Sequence, residues 1–384
     1  MSNRIISTIL KHDTKVTSYK IALLRAINDV VLSFPDLRTY HQDVAVPLRL
    51  LAEYWVAYYW AFADPVRPIL QGQRATRDGS LRKDMAFRSA LTEFRDHWEQ
   101  LTGGISRSAD GFLAINEMRV PRKRSTYAPE LIAAYERAIT AIVKSLEMPI
   151  QYAGPGNWTV FEKPVLYKHL SDRAVPVPGT ASNHKCLIIT ADLWQTFREM
   201  SLWVEALCIH EWCLFTERIS QQAIGRGEVY ALLTERPDNR RPLSWESNNI
   251  DLLLLEGNEF ICPWTAKRIT AGVAYDLDHL LPLSVYPINE LWNLVPSDPD
   301  FNRNKKRDRL PTLEKLQQAR PYLEWDYDRY GESALLSQAL KEDVKLRFST
   351  LKIVRQTSFA QSVSEVVVDL IEQIAETRNL RRFG

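Results

Sequence analysis

The chain has 384 residues, which at roughly 150 residues per domain implies two or three structural units. Apolar residues make up 45% and charged residues 25%, a balance that excludes a disordered or fibrous protein. With 49 basic and 47 acidic side chains the net charge is only +2, so any affinity for nucleic acid must come from a local cluster and not from the overall field.

Only 14 glycines occur, well below the usual share of about 7%, and so few tight turns predict a mainly helical chain. Residues 17–34 carry Leu23, Leu24, Ile27, Val30, Val31 and Phe34 at the spacing of an amphipathic helix, with Thr17 or Ser18 as cap and Pro35 as terminator. Residues 48–62 form a second helix dense in aromatics. Its stripe of Tyr54, Trp55, Tyr58, Tyr59 and Trp60 reads as core packing before it reads as a base-stacking platform. Further helices are expected over 85–101 and 129–146. From 149 to 189 prolines and glycines cluster, and short runs such as Trp158-Thr159-Val160-Phe161 predict loops and a few strands that could form a small sheet. Residues 191–223 read as one long Trp-rich helix capped by Thr190. The polar stretch 235–247, with Pro237 and Pro242, reads as a joint. Residues 312–380 hold two or three helical stretches, the clearest over 363–374.

The expected fold is mainly α with a small α+β module, flanked by helical N-terminal and C-terminal regions. The expected divisions are 1–148, 149–247, a compact module over 248–312, and a helical extension over 313–384. Four cysteines in a chain this long make no disulfide framework. The first thirteen residues lack a basic start followed by an apolar block, and no apolar stretch reaches the ~18 residues of a membrane span. The expectation is a cytoplasmic protein without membrane insertion.

Chemistry concentrates in 275–311. Asp278 and His279 sit in the apolar run Leu277 to Leu281, and at a strand end both can serve one site. Histidine titrates nearest neutrality and suits removal of a proton from water. Aspartate is an oxygen ligand for Mg²⁺, which keeps most of its waters and takes one or two protein groups. Asn302 offers a second oxygen at the start of an expected helix. Arg303, Lys305, Lys306, Arg307 and Arg309 then place five cations in seven residues, a density that can hold phosphates.

The ordered segments D-H-L-L-P-L-S, N-L-V-P and F-N-R-N-K resemble the signatures of the HNH endonucleases. That resemblance implies a ββα-metal fold in which His279 is the general base, Asp278 and Asn302 are Mg²⁺ ligands with Mn²⁺ as substitute, and Asn293 fixes the connecting loop. Lys305 and Arg303 would stabilise phosphate charge. Asn304 competes for the position of Asn302, but the N-x-x-K count runs from Asn302 to Lys305. Many HNH modules carry two C-x-x-C pairs for structural zinc, whereas Cys262 stands alone here, so zinc is not expected and helices should supply the support. The substrate implied is double-stranded DNA, nicked by a monomer. A weaker similarity links the Trp-rich helix and the aromatic helix before it to bacterial antiphage-defence nucleases, such as that of Zorya type II systems. It implies partner proteins of such a system. A separate expectation is that the long helical flanks, either the N-terminal helices or 312–384, occlude the groove.

The rival reading is a non-catalytic adaptor whose HNH-like segment only binds nucleic acid or protein. Arg119, Arg122, Lys123 and Arg124 form a second basic cluster, read as a solvated face before a nucleic-acid surface. Cys208 and His210 point about 200° apart on a helix, which argues against a shared metal with Cys213.

Overall fold

The computed structural model describes residues 2–34, 37, 41–72, 84–103, 107–235, 243–285, 289–348, 351 and 358–384. Pro35 as helix terminator, and Pro237 and Pro242 in the expected joint, lie outside the described residues. The chain divides into two units. The first comprises Met1–Ser33 and Arg38–Arg236, the second Phe34–Leu37 and Pro237–Gly384.

The first unit contains helices α1 (Ser2–Lys11) and α2 (Tyr19–Ser33), strand β1 (Asp43–Pro47), and helices α3 (Leu48–Tyr59), α4 (Arg88–Leu101), α5 (Asp110–Arg119), α6 (Pro121–Arg124) and α7 (Pro129–Gln151). Strands β2 (Val165–Leu166), β3 (Ala174–Pro176) and β4 (Lys185–Ile189) follow, then α8 (Ala191–Glu199), α9 (Ser201–Ile219) and α10 (Arg226–Thr234). The helix α2 is buried along nearly its whole length, Arg25, Asn28 and Ser33 included. The aromatic helix α3 fills the core: Trp55, Tyr59 and Trp60 are fully buried, and the Trp212 ring of α9 lies 5.2 Å from that of Tyr59. These rings are packing, unavailable to bases.

The sheet runs β2-β4-β1-β3, with β1 antiparallel to β4 and parallel to β3. The run Trp158 to Phe161 is not a strand. Gly154 and Trp158 both adopt positive φ, and the Trp158 amide bonds back to the Gln151 carbonyl, so the chain turns there. The expected helix over 191–223 is two helices. Met200 leaves helical geometry (ψ 15°), which lets Trp194 and Phe197 bury from one segment and Val204, Cys208 and Trp212 from the next. Cys208 and Cys213 are buried while His210 is exposed, so they share no site. Of the second basic cluster Lys123 is buried and the arginines are half-buried: Arg119 donates to Glu53 at 2.7 Å and Arg124 to the Met118 carbonyl.

The second unit begins with α11 (Ser244–Leu255) and the hairpin β5 (Phe260–Ile261) and β6 (Arg268–Ile269). Strands β7 (Asp276–His279) and β8 (Leu294–Ser297) pair antiparallel, and a short helix α12 (Pro299–Phe301) runs into a π turn over Asn302–Lys306. After β9 (Leu310–Pro311) come α13 (Leu313–Glu332), α14 (Ala334–Arg347), α15 (Phe359–Thr377) and β10 (Arg382–Phe383), which returns to pair parallel with β9. Thr312, Ser333 and Ser358 each cap the helix they precede by accepting a backbone N–H. Leu323, Val363, Leu370 and Ile371 join Trp292 and Leu294 in one core, each aliphatic side chain contributing ~1.5–3 kcal/mol by burial.

Asp326 of α13 is fully buried in this core. It accepts the Ile261 N–H at 3.0 Å, which anchors β5 to α13. Burial pushes its carboxyl well above the usual carboxylate range, against the opposing effect of the Ile261 N–H. A raised folded-state value means that full stability is present only below the unfolded value near ~3.9, and is lost as pH rises through the folded one. The Asp326→Asn variant keeps the acceptor and cannot ionise. Urea denaturation across pH is expected to show it more stable than the parent near neutrality and equal to it in acid. A parent curve parallel to the variant's would contradict this.

Candidate active site

The site is built on the β7–β8 pair. Register places Asp278 opposite Val295 and His279 opposite Leu294, so His279 is the last residue of its strand. Asp276 and Asp278, two apart, share a strand face. The ladder ends where the Leu280 N–H donates to the Asn293 carbonyl at 2.9 Å. The Asn293 side chain then takes over: its Oδ1 accepts the Leu281 N–H at 2.8 Å and its Nδ2 donates to the Leu281 carbonyl at 3.1 Å. This fully buried amide closes the loop that follows His279.

Beyond β8, Asp298 caps α12 and Pro299 occupies the first helical position, where its missing N–H costs nothing. The Arg307 N–H reaches the Asn302 carbonyl at 2.9 Å, an i→i+5 bond that widens the turn by one residue. Asn302 and Lys306 therefore line one cleft, while Arg303, Asn304 and Lys305 between them are exposed. Arg307, at positive φ, ends the turn in a conformation rare for a residue with a side chain.

That cleft, about 270 Å³, is lined by Asp278, His279, Asn302, Lys306 and Arg307 together with apolar and loop residues up to Ser284. Asp278 and His279 are buried, at 5% and 6% exposure. Asp278 Oδ1 takes the Lys306 ammonium at 2.9 Å, and its Oδ2 accepts the Trp264 indole N–H at 3.1 Å. The same ammonium donates to the His279 carbonyl at 2.7 Å. His279 Nε2 meets Asn289 Oδ1 at 2.7 Å. Asp276 holds Arg303 through two bonds, 2.9 and 2.5 Å, and accepts the Asn302 Nδ2 at 3.2 Å. The Asp276 carboxylate also raises the proton affinity of the Arg303 guanidinium, which stays charged.

Asp278, His279 and Asn302 thus meet at one cleft. Asn293 stands behind it as a loop fastener. Arg303, Lys305 and Arg307 are exposed and Arg309 is half-buried, with its guanidinium on the Lys305 carbonyl. Lys306 does not belong with them: at 1% exposure its ammonium faces Asp278, and the expectation that it contacts phosphate is corrected. Asn304 is exposed and lies outside the cleft lining. Asp276, Trp264, Asn289 and Glu290 were not singled out by sequence. Only Asp276 carried a signal, through its two-residue spacing from Asp278. No described residue of 313–384 is among those that line the cleft.

Divalent metal fits this donor set in chemistry. Asp278 already binds a positive charge at a position shared with a carbonyl oxygen, and the Asn302 amide nitrogen is used by Asp276, so its oxygen is the atom that would face a cation. Among the described residues no group of three His, Cys, Asp or Glu side chains is placed to hold a metal ion.

Residues 2–233 match the family model described as a domain of unknown function, DUF8808, over more than half of the chain. The chain belongs to that family. Residues 262–312 match the family model described as HNH endonuclease, so this DUF8808 protein also carries an HNH domain. That match begins at the buried Cys262, spans both β7 and β8, and ends at Thr312, just before α13. No curated protein and no solved structure matches the chain. Among the described residues no helix is long and apolar enough to cross a membrane.

Proposed function

We propose that the HNH domain hydrolyses phosphodiester bonds of double-stranded DNA with Mg²⁺, or Mn²⁺ in its place, and that a single copy nicks one strand. The observation that carries this reading is the meeting of Asp278, His279 and Asn302 at one cleft beside exposed Arg303, Lys305 and Arg307. Asp278 and Asn302 would hold the metal, which when bound supplies charge stabilisation at the phosphate and leaving oxygen. His279 takes a proton from water as its oxygen attacks phosphorus, and the bond to the leaving oxygen breaks. Asn293 keeps the His279 strand end at a fixed distance from β8 by holding both polar groups of Leu281. Arg303, locked by Asp276, together with Lys305, Arg307 and Arg309, positions the DNA backbone, contacts that carry no sequence preference of their own. The setting we infer is a bacterial antiphage-defence system, with partner proteins of that system, on the resemblance of the aromatic and Trp-rich helices.

The adaptor reading is not favoured, because binding alone does not require a buried histidine beside a buried carboxylate. Incubation of supercoiled plasmid with the full chain and Mg²⁺ is expected to yield open circles, and EDTA to prevent them. Retention of plasmid in gel shifts without metal-dependent nicking would favour the adaptor instead.

A further inference from the structure

We propose that Asn289 is the positioning residue that sets the tautomer and orientation of His279, and that α13 and α14 hold it in place from outside the HNH match. The role of His279 as base rests on the nuclease reading above; the hold on its ring does not. An amide oxygen only accepts hydrogen bonds, so with Asn289 Oδ1 facing the ring at 2.7 Å the contact calls for a proton on His279 Nε2. In the neutral ring that arrangement puts the lone pair on Nδ1, the nitrogen left to accept a proton. Asn289 is 3% exposed and His279 6%, so the contact lies between two buried side chains.

An orienting group works only if it is itself immobile, and the segment carrying Asn289 is clamped on consecutive residues. The Glu290 carboxylate takes two bonds from Arg347 of α14, at 2.9 and 2.5 Å, and a third from the Trp292 indole at 2.6 Å. The Leu291 N–H donates to Asp343 of α14 at 2.8 Å. From α13, the Tyr327 and Tyr330 hydroxyls donate to the carbonyls of Trp292 and Leu294, at 2.6 and 2.7 Å. The two helices thus fix a path from Asn289 to the first residue of β8, where Leu294 pairs with His279. One end of the ring's support is therefore the strand, and the other is this clamped segment.

The test is the imidazole ¹H–¹⁵N correlation spectrum of the full deuterated chain, at a pH well above the ordinary histidine value, with the His279 signals assigned through His279→Gln. The parent is expected to show the Nε2–H pattern alone. Asn289→Leu should convert it to a tautomer mixture and slow plasmid nicking at least about 10-fold, toward the 10²–10⁴ that a general base supplies. Asn289→Asp, which restores an acceptor, should recover the Nε2–H pattern. A parent ring protonated on Nδ1 overturns the proposal with no variant required. So does Asn289→Leu that retains pure Nε2–H, or that loses it without slowing nicking. If the parent never nicks DNA, the nuclease reading fails while the spectrum still decides the hold of Asn289 on the ring.

Discussion

Replacing His279 with alanine is expected to lower metal-dependent nicking by 10²–10⁴, the range that general base catalysis contributes, and to leave folding and DNA retention largely intact. The reason lies in the division of labour around the ring. Loop closure after His279 is performed by Asn293 through backbone atoms, and the Asn289 segment is fixed by α13 and α14. Neither support passes through the imidazole. The cations at Arg303, Lys305 and Arg307 are also untouched, so affinity in gel shifts should persist. Open-circle formation at the parent rate in His279→Ala would end the assignment of this residue as the base.

The second large effect concerns Lys306. Its ammonium and the Asp278 carboxylate form a pair with side chains only 1% and 6% exposed. Removing one partner of a buried pair leaves the other charge without compensation, a loss of about 3–5 kcal/mol. Lys306→Met should therefore unfold at much lower urea concentration than the parent in EDTA. If Asp278 is a metal ligand, a divalent cation can replace the missing charge, so Mn²⁺ should stabilise Lys306→Met more than it stabilises the parent. Lys306→Met combined with Asp278→Asn should recover much of the lost stability without metal. A variant as stable as the parent in EDTA would show that the pair contributes little. Equal stabilisation of both proteins by Mn²⁺ would count against Asp278 as a ligand.

How much of this was legible beforehand differs by the range of the interactions. The helices α2, α3, α7 and α15 announce themselves through apolar spacing, because one helix face repeats every three to four residues whatever it packs against. The break at Met200 gives no such sign. No proline or glycine marks it, and it exists because α8 and α9 bury different faces. The sheet was only partly visible. A few strands were expected within 149–189, but the pairing of β1 with both β3 and β4 joins segments far apart in the chain.

In the site, the order of D-H, N-L and N-x-x-K by itself determined which residues form the candidate centre, and the HNH endonuclease match covers the same stretch. These residues lie in a hairpin and the turn after it, where local chain geometry brings neighbours in sequence together. The partner of each group was decided only by the tertiary structure: Lys306 on Asp278, Asn289 on His279, Arg347 on Glu290. A charge in a basic run reads as exposed from its neighbours, yet the π turn directs Lys306 inward while Lys305 stays outside. Hydrogen-bond and ion-pair partners depend on which surfaces meet in the folded core, and a linear pattern carries no record of that meeting.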